Sequence, residues 1–172
     1  MKKILAVMIL FSVLLVSGCS PQNVEVKNGF IDLSINELEK SFNSQLSADY
    51  AKARFEKQFA DSELSCYSCD LGNGIEFSVL ATPDAKMIES ADLSFDMNAD
   101  SASAHNLGYY YAKLIYAVAP DITSDEIIDI AAKIKMDSPA PGLSESTERK
   151  NILYVHDVDE DNIISLIVIG YK

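Results

Sequence analysis

Hydrophobic residues change their spacing several times along the chain, and each change marks an element. The most apolar stretch comes first: Ile4 to Val16 is broken only by Ser12. Its length matches a secretory h-region of roughly 7–15 residues and falls short of the ~20 that a bilayer-spanning helix needs. Ser20 to Gly29 is polar, contains Pro21 and lacks periodicity, the pattern of a short tether. A helical period follows. Ser34 and Glu37 form a capping box, Leu33 and Leu38 can staple the helix start, and Leu38, Phe42 and Leu46 recur every four residues. Ala51, Phe55 and Phe59 keep that spacing, so the period predicts a second helix, or an extension of the first, over residues 47–60.

Alternation then replaces the helical period. Leu64 to Leu71 and Ile75 to Ala81 flank Gly72-Asn73-Gly74, residues that accept the positive φ of a tight hairpin. A strand over Ser90 to Met97 puts Ala91, Leu93, Phe95 and Met97 on one face. Ala104, Leu107, Gly108, Tyr111, Leu114, Ile115 and Val118 predict a helix over 102–118 that Pro120 ends. Thr123 and Glu126 cap a further helix running to Met136. Asp137 to Lys150, with Pro139, Pro141 and Gly142, reads as a long loop, and a hairpin of Asn151–His156 and Ile163–Tyr171 closes the chain. Consecutive strands with short turns favour antiparallel pairing. The expected fold class is α+β, one antiparallel sheet of about five strands with helices packed on one face.

Composition narrows the partners. The 172 residues suggest one domain, and 48% hydrophobic content is ample for a core. A formal charge of −12 argues against nucleic acid, whose phosphates need a basic footprint, and against electrostatic docking on anionic lipid. Three cysteines and two histidines leave little for a metal centre, and no cofactor is expected.

The chain's beginning is an address. Lys2 and Lys3 precede the apolar run, which ends in Val16-Ser17-Gly18-Cys19. Residues 1–19 resemble a bacterial lipoprotein precursor. The resemblance implies cleavage after Gly18 and acylation of Cys19; with the polar stretch that follows, the expected layout is a lipidated tether over 19–29 and a single folded domain over 30–172. It implies an extracytoplasmic protein anchored to a membrane by acyl chains. The anchored leaflet is the periplasmic face of the outer membrane in a diderm, where Ser20 after the cysteine resembles the outer-membrane pattern. In a monoderm it is the outer face of the cell membrane. Two or three chains are needed for firm anchoring, since one gives only marginal binding.

Within the domain, Cys66-Tyr67-Ser68-Cys69 is the sharpest motif, and export makes a disulfide chemically available. Residues i and i+3 of a strand lie about 10 Å apart, whereas a disulfide needs Cα atoms within roughly 7 Å, so a Cys66–Cys69 bond requires a turn there. Asp157, Asp159 and Asp161 resemble the opening of an EF-hand loop and form a candidate cation site. Asn162 stands where that loop has glycine, and Val168 where it has its closing glutamate. Tyr109, Tyr110 and Tyr116, beside Lys113, lie off the main stripe of their helix and form a candidate partner surface. His156, Asp157 and Ser165 do not make a hydrolytic set, because adjacent strand residues point to opposite faces. His105 reads as a residue near a helix start. No nucleophile elbow, phosphate loop or dinucleotide fingerprint is present. The expected function is a non-enzymatic, lipid-anchored envelope protein that binds an envelope protein or peptide. The alternatives are an envelope hydrolase using scattered carboxylates and a weak divalent-cation binder.

Overall fold

Alternation along the strands sorts one large sheet into two faces. The computed structural model describes residues 24–98 and 101–171, with backbone alone for 101–105. Its elements are β1 (Val26–Lys27), β2 (Phe30–Ile31), α1 (Ile35–Ser44), β3 (Glu56–Ala60), β4 (Ser65–Asp70), β5 (Ile75–Ala81), β6 (Ile88–Asp96), α2 (Ser101–Val118), α3 (Ser124–Lys133), β7 (Ser144–Arg149), β8 (Ile152–Val158) and β9 (Ile163–Gly170). The α+β class holds, but among the described residues the sheet has nine strands rather than about five. The main path runs β3-β4-β5-β6-β9-β8-β7, all antiparallel. The small β1–β2 hairpin joins β6 through Ile31 and Ile88.

Three segments depart from the sequence reading, each because a long-range partner outweighs a local signal. Residues 47–60 form no helix. Asn43 of α1 brackets Ala53, its Nδ2 donating to the Ala53 carbonyl at 2.7 Å and its Oδ1 accepting from the Ala53 N–H at 2.8 Å. The Phe55 N–H donates to Glu39 Oε2, so the chain runs back along α1 before entering β3. Residues 144–149, read as loop, form β7 along β8; their Ser-Glu-Ser-Thr-Glu-Arg sequence has no apolar alternation, and the partner strand supplies the order. Residues 26–29, read as part of a tether, instead join Phe30 and Ile31 in a hairpin, with Asn28 at φ 54° and Gly29 at φ 82°. The Gly72-Asn73-Gly74 turn forms as its chemistry predicts, all three residues at positive φ.

Both expected capping boxes are present. Ser34 caps α1 with Glu37, and Leu33 and Leu38 of the staple are buried. Thr123 caps α3 with Glu126, whose carboxylate also accepts from Arg149 Nε at 2.9 Å. That ion pair ties α3 to β7. Phe42 of α1 meets Phe77 of β5 at 5.0 Å between ring centroids. The Tyr111 hydroxyl of α2 donates to the Ile167 carbonyl, and His156 Nδ1 lies 2.9 Å from the Ile134 carbonyl just past α3.

Candidate functional site: the open face of the sheet

Cross-strand register defines the two faces. Phe77, Leu93, Leu166 and His156 lie in one lateral row and are buried. The residues between them point the other way and are half-buried or exposed. On that open face Ile169 pairs with Leu153 and Ile167 pairs with Val155, a compact aliphatic quartet on β8 and β9. Next to it on β6 stand Ser90 and Asp92, paired with Ile169 and Ile167. On β7, Glu148 and Ser146 pair with Leu153 and Val155. Toward the other edge, Leu80, Cys66 and Phe59 continue the Ile169 row, with Phe59 55% exposed.

Charge is sorted by face. Asp92, Asp96, Asp157 and Glu148 lie on the open face around the quartet, and Glu56, Asp70 and Glu76 on its β3–β5 side. Among the described residues of the main-path strands, both cations turn the opposite way. Arg149 reaches Glu126, and Lys57 lies over the Tyr67 ring at 5.8 Å. Asp92 is the central carboxylate. Burial pushes its pKa up to about 6, against the lowering hydrogen bond from Ser165, with Glu76 and Asp157 adding repulsion. The Ser165 hydroxyl donates to Oδ2 at 3.4 Å, whereas the buried Oδ1 has no donor among the described residues.

The expected Cys66–Cys69 disulfide does not form. Both cysteines are free and lie on β4, extended against both β3 and β5, so no turn brings them together. Cys66 faces the open side and Cys69 the buried side, opposite Leu80 and Phe77. Burial raises both thiols, Cys69 to about 11, which makes it a poor nucleophile at neutral pH. A shallow cavity of about 350 Å³ at this edge is lined by Lys52, Arg54, Glu56, Gln58, Ser68, Cys69 and Asp70, a mixture of both charge signs.

The tyrosines do not form the expected surface. Tyr110 and Tyr116 are buried, their hydroxyls meeting the Ala51 carbonyl and Ser124 Oγ. Half-buried Tyr109 stacks on Tyr50 at 3.8 Å and accepts from the Ser47 N–H. Together Tyr109 and Tyr110 pin the segment that replaces the expected second helix. Lys113 beside them is buried, with Nζ 5.1 Å from the Tyr109 ring and 5.9 Å from that of Tyr116.

The acidic hairpin tip is built as a turn. Asp159 Oδ1 accepts from the Asp161 and Ile163 N–H groups at 2.9 and 2.8 Å, while Asp157 sits on the open sheet face. Among the described residues, Asp157, Asp159 and Asp161 do not converge as a ligand group. His156 is buried on the face opposite Asp157, so the two do not orient one another; burial lowers its pKa. Cys19 and the His105 side chain lie outside the described residues.

Sequence reasoning missed the quartet. Ile163 to Ile169 reads as a nearly continuous apolar run, and such runs normally belong to strands covered on both sides. The usable signal was the neighbouring strand, where Ser90, Asp92, Ser94 and Asp96 mark one face as wet. Among the described residues no helix is long and apolar enough to cross a membrane. Comparison with protein-family models, curated proteins and solved structures finds no match to this chain.

Proposed function

We propose that the protein is a non-enzymatic, lipid-anchored envelope lipoprotein that binds another envelope component through the open face of its sheet. In this reading α1, α2 and α3 share the buried face and leave the other for a partner. The observation that carries it is the quartet of Leu153, Val155, Ile167 and Ile169, paired across adjacent strands on the half-buried face. Contiguous apolar surface of this kind, rimmed by polar groups, is how interaction sites are marked. The anchor rests on the Val16-Ser17-Gly18-Cys19 pattern.

Two experiments test the reading. Radioactive palmitate should label the wild type and not Cys19→Ala; an unlabelled wild type removes the anchor. A photo-crosslinking residue at Ser146, exposed beside Val155, should give a discrete heterologous adduct in intact envelopes, and one at exposed Ala132 of α3 should not. The absence of any Ser146 adduct, or an adduct to a second copy alone, overturns the binding role. The alternative of a carboxylate-dependent envelope hydrolase draws on Asp92, whose raised pKa is a trait of catalytic acids. It requires hydrolysis of peptidoglycan or peptide that Asp92→Asn abolishes, and hydrolysis unchanged in that variant discards it.

A further inference from the structure

We infer that the segment received by the open face is cationic and amphipathic, presenting aliphatic side chains to the quartet and lysine or arginine to the acids beside it. This rests on the binding role proposed above and adds the chemistry of the partner. The first argument is the sorting of charge. Asp92, Glu148 and Asp157 adjoin the quartet, while Arg149 and Lys57 are turned to the other face and engaged there. A partner entering this face meets carboxylates with no compensating strand cation.

The second argument is geometry. The four aliphatic residues lie on two neighbouring strands, about 4.8 Å apart across the sheet and about 7 Å along each strand. One apolar stripe of a helix, with side chains about 5–6 Å apart at i and i+4, can seat on such a patch while its flanks reach the acids. The third is Asp92. Its half-buried carboxylate stands on the open face directly beside Ile167, where an incoming ammonium or guanidinium meets negative charge at the edge of the quartet. A second copy is disfavoured, because two faces with these carboxylates would repel, and anionic lipid is disfavoured by the same sign of charge.

The Ser146 crosslink reads this directly. Mass spectrometry of the adduct should identify a partner segment in which lysine or arginine alternates with aliphatic residues at helical spacing. Joint replacement Asp92→Asn, Glu148→Gln and Asp157→Asn, with the quartet intact and folding verified by its melting curve, should cut adduct yield at least about fivefold, and added salt should cut the wild-type yield likewise. A neutral or acidic crosslinked segment, a lipid adduct, or an unchanged yield in the neutralised variant overturns this inference while the binding role stands. No adduct of any kind, or one to a second copy alone, overturns the binding role itself.

Discussion

Gly170 of β9 meets Gly29 of the β1–β2 turn backbone to backbone. A Cβ at Gly170 would lie 2.4 Å from the Gly29 carbonyl oxygen and 3.0 Å from the Ile31 nitrogen. Neither neighbour is a flexible side chain that can move aside. Gly170→Ala should therefore lift the hairpin off the end of β9 and cost about 1–3 kcal/mol in urea unfolding, the usual scale of overpacking. An unchanged midpoint would mean that the hairpin is not docked.

Gly108 predicts the opposite sign. It sits inside α2, and a Cβ added there would meet nothing within 4 Å. Gly108→Ala should stabilise by about 0.5–1 kcal/mol through helix propensity alone. The two alanine variants, compared in one denaturation series, separate close approach from backbone freedom.

Asp92 should impose a pH dependence. Its folded pKa of about 6 exceeds the ordinary 3.8, so the fold prefers the protonated acid. The Asp92 contribution is therefore most favourable below pH 4 and weakens as the pH rises toward 6, by up to roughly 2–3 kcal/mol. Asp92→Asn should lose that dependence and be the more stable protein at pH 7. A stability difference from wild type that stays constant between pH 4 and pH 7 would refute the burial account.

Glu126 runs the other way. The Thr123 N–H and then Arg149 hold its carboxylate down to about 2. Its contribution is present above the ordinary 4.5 and is lost as the pH falls toward 2. In a carboxyl titration followed by NMR, Arg149→Met should raise the Glu126 pKa without restoring 4.5, because the capping bonds persist. A full return to 4.5 would show that the ion pair alone sets it.

The free thiols give a chemical check. Under denaturation without reductant, both Cys66 and Cys69 should alkylate, and in the folded protein Cys66 should react before Cys69, whose thiol is held protonated up to about 11. Failure of either to alkylate after denaturation would show that it is oxidised in the cell.

What the sequence displays is local chemistry, and what it hides is pairing. Ser34, Glu37, Thr123 and Glu126 declare two helix starts because a capping box is complete within four residues. Ile75 to Ala81 is legible because one face is buried and the other wet. Residues 144–149 are not, since an edge strand of serine, threonine and charge owes its order to β8. Phe55 and Phe59 mislead for a related reason: their four-residue spacing imitates a helix, yet Phe55 packs on Phe77 and Phe59 points outward on β3. The open-face quartet was hidden because aliphatic residues on both sides of β8 and β9 look alike until something shows which side is filled.

The placement of β9 between β6 and β8 sets an order of events in the cell. β6 ends at Asp96 and gains its long second ladder only when Ile163 to Gly170 has arrived. A chain emerging residue by residue must hold β6 with β5 on one edge and the other edge open beyond the short β2 contact, while more than a third of the molecule is still to come. Its ladder groups and the apolar row of Ala91, Leu93 and Phe95 are open to strangers during that wait. Closure of the sheet on this edge is thus late, and shielding the exposed edge of β6 until β9 arrives would protect the folding chain from aggregation.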